Sequence, residues 1–442
     1  MKTKKPRIPF PVLLLIIGII TPIELSPVIG PLHMFPHRVA ILIYFFPAMK
    51  RLFSSKLARP ATYDYLFVAY NCWMLFTFML HLDFMPGLQY GGSLVVESLG
   101  GYAIARAYIR THDDFIATLN GLFKAVCFVG LLALPEAITG NHYVHLWLRF
   151  IGGVQPPAND EMRWGLHRSY ATFNHPILYG AFCASVLSMV WVTEKRLTVK
   201  IAKALALSGA TFLGLSSAPL NSLVVQGILG SLHRVTARFP NRMKILGIAF
   251  VILYLILSVV GDRSPIASIV SRITIDPQTG FYRTLIWGFG LDNVYAHPWI
   301  GLGLDPWVRP SWMHADTVDA YWLVVAMQEG IPAIVLLIAA IWFLIAAVHK
   351  RGPGQRPKRE QRASVGWTLS FVAFTLAGFT VHYWDATHSY LFMLLGMSGW
   401  LADPLRVKSK VKAKLPQAAA RAHWPEPVFG GPYGSAPEPM AG

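Results

Sequence analysis

The chain has 442 residues, 54% hydrophobic and only 14% charged, with a formal net charge of +17. Soluble domains carry about a quarter of their residues as charges, and several apolar runs here reach the roughly 20 residues needed to cross a bilayer. That excludes an ordinary soluble domain. The basic residues sit in short clusters between the apolar runs, where membrane topology calls for them, so the charge does not point to nucleic acid.

Taken in order, the chain reads as an all-α polytopic membrane protein of about twelve spans. They fall near 9–29, 38–54, 62–82, 93–111, 116–136, 175–193, 198–214, 217–232, 243–260, 318–348, 364–383 and 386–402. Lys2, Lys4, Lys5 and Arg7 precede the first run without a small-residue cleavage site, so an uncleaved first helix is expected. Cys72, Cys127 and Cys183 all lie in apolar segments, which implies no disulfide framework.

If the spans alternate, basic clusters at Lys50–Arg59, Arg106–Arg110, Lys195–Lys203, Arg234–Lys244, Lys350–Arg362 and Arg406–Lys414 join the N-terminal one on a single side. The positive-inside rule makes that side, with both termini, cytoplasmic. The transmembrane part is expected over 1–403, with two long loops on the opposite face, about 139–174 and 261–317. Residues 404–442, Lys-rich and then Pro/Gly/Ala-rich, are expected to be a disordered tail.

The second long loop and the helix after it hold an unusual density of polar groups: Arg283, Asp292, His297, Asp305, Arg309, His314, Asp316 and Asp319. Arg168 closes the first loop, in RSYATFNHPILYG. Asn174-His175-Pro176 fits a helix start with Asn as the cap. Arg168 is then either an interfacial arginine or an anion ligand beside a helix N-terminus.

Arg283 lies in an amphipathic phrase whose Tyr282, Leu285, Ile286 and Phe289 suit a membrane surface. Two arginines, one per loop on one face, suit a diphosphate, because the planar guanidinium fork binds phosphate oxygens bidentately. Asp319 is either a helix-dipole partner or a general base. Tyr321 and Trp322 are sugar-stacking rings or interfacial anchors.

His142-x-x-His145 lacks a third metal ligand and reads as loop decoration, and Gly301-x-Gly303 lacks a dinucleotide context. Glu24, Asp64 and Glu97 read as helix-packing groups, whereas Glu329 requires a partner or water. His382, Asp385 and His388 mark the last loop on the polar face.

In this order, several phrases resemble the O-antigen polymerase and O-antigen ligase superfamily of bacterial polysaccharide assembly, most of all its exopolysaccharide-polymerase branch. They are Arg168 with His175–Ile177 and Tyr179–Gly180, then Leu215-Ser-Ser217 and Arg263-Ser-Pro265. Tyr282-Arg283, Ile286-Trp287, His297-Pro298, Gly301-x-Gly303 and Trp307-x-Arg-Pro-x-Trp-Met313 follow. The last are Val318-Asp-x-x-Trp-Leu323, Ala326 and Gly330-Ile-Pro332.

The resemblance implies a metal-independent, cofactor-free inverting glycosyltransferase of the bacterial inner membrane. Its donor is an undecaprenyl-diphosphate-linked oligosaccharide, its active face is periplasmic, and flippase and chain-length regulator proteins are its pathway partners. Arg168 and Arg283 match the diphosphate-holding arginines, and His175, Arg263, Arg309, His314, Tyr321 and Trp322 are expected around the substrate. Ligases of the superfamily place a His-Asn/Ser pair eleven residues before the Gly that corresponds to Gly330; Asp319-Ala320 stands there. That departure favours a polymerase, with Asp319 as base or acceptor-orienting group. Ala171 also stands where relatives tend to carry Gly. A ligase acting on lipid A-core or protein is the alternative within the class, and a transporter of polysaccharide intermediates is the alternative outside it.

Overall fold

Helices occupy the predicted apolar spans wherever these fall in the described residues. A computed structural model describes residues 6–29, 32–53, 60–150, 161–236, 277–313, 316–350 and 356–402, all within one unit, Met1–Leu405. The span expected at 243–260, Arg263, His314 and the tail 404–442 lie outside these residues.

α1 is Phe10–Ile20, shorter than expected, because Pro22 follows and offers no N–H to extend the helix. A 3-10 turn at Ile23–Leu25 and a hairpin of β1 (Val28–Ile29) and β2 (Leu32–His33) come next. α2 (Pro36–Phe53), α3 (Thr62–His81), α4 (Phe84–Tyr108) and α5 (His112–Thr139) follow. α5 has clear ends: Thr111 and Asp114 exchange side-chain and backbone hydrogen bonds as a capping box, and Gly140 closes the helix at φ +73°.

The first long loop contains α6 (Tyr143–Leu148) and a hairpin of β3 (Met162–Arg163) and β4 (Leu166–His167). Beyond it lie α7 (Pro176–Ser185), α8 (Leu187–Thr193), α9 (Leu197–Leu213) and α10 (Ser217–Val235). The second long loop contains α11 (Pro277–Ala296).

The span expected at 318–348 is two helices, α12 (Tyr321–Glu329) and α13 (Ile331–His349). Gly330 separates them at φ +84°, and a Cβ there would lie 2.1 Å from the Trp299 carbonyl oxygen. Such a break exposes helix-end groups that need partners. The 298–303 segment supplies them: Leu302 N–H donates to Met327 O at 2.7 Å, Gly303 N–H to Gln328 O at 3.0 Å, and Ile331 N–H to Pro298 O at 2.8 Å. The Gly301-x-Gly303 phrase is therefore the element that docks on this break. α14 (Lys358–Ala377), α15 (Asp385–Gly396) and α16 (Gly399–Ala402) complete the chain.

One apolar core runs through the helices, with Leu15, Phe67, Tyr102, Leu122, Phe182, Leu337 and Trp367 at its centre. A smaller core joins α11 and α12 to the segment between them, through Ile286, Trp307, Leu323 and Met327. Asp64 and Glu97 do pack helices: Asp64 accepts from Tyr102 Oη at 2.6 Å and pairs with Arg106, while Glu97 meets His37, Arg38 and His388. Among the described residues, three helical stretches are long and apolar enough to cross a membrane: His112–Thr139, Pro176–Thr193 and Ile331–His349.

Candidate functional site

The hairpin of β3 and β4 turns through Trp164 (φ +53°) and Gly165 (φ +76°), two positive-φ residues that match the right-handed twist of a two-residue hairpin. It fixes three charges. Arg168, just beyond β4, donates from Nη1 to Glu161 Oε2 at 2.7 Å, and Arg163 Nη2 reaches the same oxygen at 3.2 Å. Arg163 Nη1 also donates to the Leu215 carbonyl, which ties the hairpin to the α9–α10 turn. Arg168 is 5% exposed, and its Nε is buried without a partner.

The loop from Ser169 to His175 is held from inside the bundle. Ser169 N–H donates to Leu213 O at 3.1 Å. Glu136, fully buried near the end of α5, accepts the N–H groups of Tyr170 and Ala171 on Oε2, at 3.1 and 2.9 Å. Asn174 was expected to cap α7. Instead its side-chain amide donates to Asp385 at 2.6 Å, and His175 Nδ1 takes the Ile177 N–H and caps the helix. Burial and the nearby Arg168 charge lower the His175 pKa from 6.5 to about 4, against a smaller opposing effect of Glu161.

Arg283 lies on α11 and is 6% exposed, with Nε buried and unpartnered. Of its four apolar neighbours Ile286 alone is buried, and Tyr282, Leu285 and Phe289 are half-buried. Ile286 is buried in the smaller core, and Tyr282, Leu285 and Phe289 pack against it. Trp287 donates to Phe379 O at 2.9 Å and stacks on the Phe379 ring, which pins α11 beyond the end of α14.

Burial lowers the Arg283 pKa; the Asp319 charge opposes that shift, and the charges of Arg163 and Arg168 add to it. Burial likewise raises the pKa of Asp319, against the pull of Arg283. Arg283 thus lies within electrostatic reach of Asp319, Arg163 and Arg168, groups contributed by the first long loop and the approach to α12. Three cations facing few acids, with two buried Nε donors unused, make a setting that favours an anion rich in oxygen acceptors.

Other expected residues stand elsewhere. Tyr321 is 2% exposed and packs against Trp322, His382, Tyr383 and His388, so its ring belongs to the interior and offers no sugar shelf. Trp322 is half-buried and donates to the Thr375 carbonyl. Arg309 lies over the Trp307 ring and donates to Met313 O within its own loop. Asp319 precedes α12, which begins at Tyr321 after Ala320 as its cap residue, so Asp319 is not in the first helical turn.

His142 and His145 are structural. They flank the Tyr170 ring and pair with Glu136 and Glu24. Sequence reasoning missed Glu136, Glu161 and Arg163. An acid closing an otherwise apolar span is a readable signal for Glu136, whereas Glu161 and Arg163 flank a turn that only the hairpin makes visible. No family model matches the chain, and no curated protein matches it.

Proposed function

We propose that the chain is an integral-membrane glycosyltransferase that polymerises lipid-diphosphate-linked oligosaccharide repeat units at the face opposite its basic loops. The observation carrying this reading is the pair of buried arginines, Arg168 and Arg283, each with a spare Nε donor and with Asp319 beside Arg283. In the reaction, an acceptor hydroxyl attacks the anomeric carbon of the donor sugar. The bond from that carbon to the diphosphate breaks with inversion, and the diphosphate leaves with the bonding electrons. Arg168 and Arg283 neutralise the charge that grows on it, which is the kind of term that dominates such steps. Asp319 takes the hydroxyl proton, and its raised pKa suits a base better than an ordinary carboxylate does.

This reading includes the finer expectations: about twelve spans, both termini cytoplasmic, a periplasmic site in a bacterial inner membrane, an undecaprenyl carrier, and flippase and chain-length regulator partners. The test is gel electrophoresis of polysaccharide from a deletion strain complemented with wild type or Arg168→Ala, with the variant's abundance in the membrane checked. Loss of the long-chain ladder while single repeat units persist supports the polymerase. Intact polymer no longer joined to its acceptor points to a ligase.

One observation favours a second reading, a transporter. Glu97 is buried in mid-α4 among His37, Arg38 and His388, the kind of ionisable cluster that relays protons in carriers. Lipid-linked units trapped on the cytoplasmic side of the deletion strain would favour it.

A further inference from the structure

A cavity of about 1150 Å³ opens between α8, α9, α10 and α14, and none of its lining residues belongs to the site above. Its rim carries Lys195, Lys200, Arg234, Lys358, Arg359 and Arg362. These come from three separate basic clusters of the sequence. Topology requires such clusters to share one side of a membrane; it does not require them to meet around one hollow.

The acid at the rim, Glu194, is already taken by Lys203 at 2.8 Å and by the Lys195 and Arg196 N–H groups. Among the described residues, Lys195, Arg234, Lys358, Arg359 and Arg362 have no acidic partner. The floor is apolar, with Leu187, Val192, Val365 and Leu369, and the Gln226 amide there is satisfied by Ser188, Ser370 and Ala184. Gly227 and Gly230 on α10 face it, with nothing within 4 Å of a Cβ at Gly227.

The place of the cavity in the bundle narrows the ligand. α9, α10 and α14 each have one end here and the other toward the long loops: Leu213 accepts from Ser169, Leu215 from Arg163, and Phe379, just past α14, from Trp287 on α11. Seventeen residues of α9 separate the two ends by roughly 25 Å. Below the rim, Ile201 and Leu205 on α9 and Val224 and Ile228 on α10 are large apolar side chains left exposed. A cationic hollow above exposed aliphatic helix faces matches an amphiphile: an anionic head in the cavity and hydrocarbon along the helices.

We propose that this cavity binds the phosphate headgroup of an anionic phospholipid, with its acyl chains along α9 and α10. The proposal rests on the membrane part of the reading above but not on glycan transfer.

The test is native mass spectrometry of the full-length protein titrated with phosphatidylglycerol, phosphatidylcholine or inorganic phosphate. Wild type is expected to retain phosphatidylglycerol about tenfold more tightly than phosphatidylcholine. Arg234→Gln with Arg362→Gln is expected to remove that preference, while Arg196→Gln, a basic residue off the rim, leaves it. Equal retention of the two lipids by wild type overturns the proposal without need of any variant. So does an Arg196→Gln loss as large as the double variant's, which would mean a diffuse surface field. Displacement by millimolar inorganic phosphate would make the ligand a soluble anion and overturns it too. No glycan enters the assay, so a transferase that fails this test and a lipid binder without transferase activity are told apart.

Discussion

Glu136 accepts the backbone N–H of Ala171 at 2.9 Å, and Ala171 sits at φ +51°, in the left-handed region. An L-residue there costs roughly 1–2 kcal/mol, and the buried carboxylate holds the loop in that shape. Ala171→Gly should therefore raise the melting temperature, by an amount equivalent to about 1 kcal/mol. Glu136→Ala strands the N–H groups of Tyr170 and Ala171, at about 1–3 kcal/mol each. Melts followed by tryptophan fluorescence in detergent check both, and an Ala171→Gly melt below wild type removes the strain argument.

Arg283 offers a planar fork, which lysine lacks. Arg283→Ala should slow polymerisation in vitro by about a hundred- to a thousandfold, the usual cost of one lost donor to developing charge. Arg283→Lys should recover little of it. A lysine variant within twofold of wild type would reduce the role of Arg283 to bulk charge.

Asp319 should set the acid limb of the pH–rate profile. Its carboxyl ionises above the ordinary aspartate range because burial opposes the charge, and Arg283 partly offsets that. The rate then rises with pH through a midpoint higher than about 3.9. Arg283→Gln should move the midpoint of the residual rate further up. Asp319→Asn should abolish the limb; a limb unchanged in that variant belongs to another group.

His175 makes stability pH-dependent. Its pKa falls from 6.5 to about 4 in the fold, so between those values the unfolded chain holds a proton that the folded one does not. This contribution to stability is complete above pH 6.5 and is lost as pH falls toward 4. His175→Asn keeps a capping side chain without the titration. Its melting temperature should fall less than that of wild type across this window, and parallel curves would clear His175.

The helices were legible because an apolar run long enough to be buried needs its backbone hydrogen bonds closed locally, whatever surrounds it. Gly330 was not legible as a break, since a hydropathy window averages across one residue and the groups that complete the break come from Pro298 to Gly303. Arg168 and Arg283 stood out as charges in an apolar chain, yet Arg163 and the groups that support the site did not. Glu136 and Ala171 are 35 residues apart, and Glu97 and His388 are 291 apart; no local pattern joins them. Tyr321 read as an exposed ring because an interior aromatic and an interfacial one have the same hydropathy.

α12 turns Tyr321 and Val325 toward the large core and Leu323 and Met327 toward the small one. It is a party wall, and a party wall cannot be pushed from one room without moving in the other. On the proposed reading, a glycan that displaced the segment around Trp307 would press on Leu323 and Met327, and the same helix carries Tyr321, whose ring packs on His382 and His388. That link between the two cores runs through one helix of nine residues.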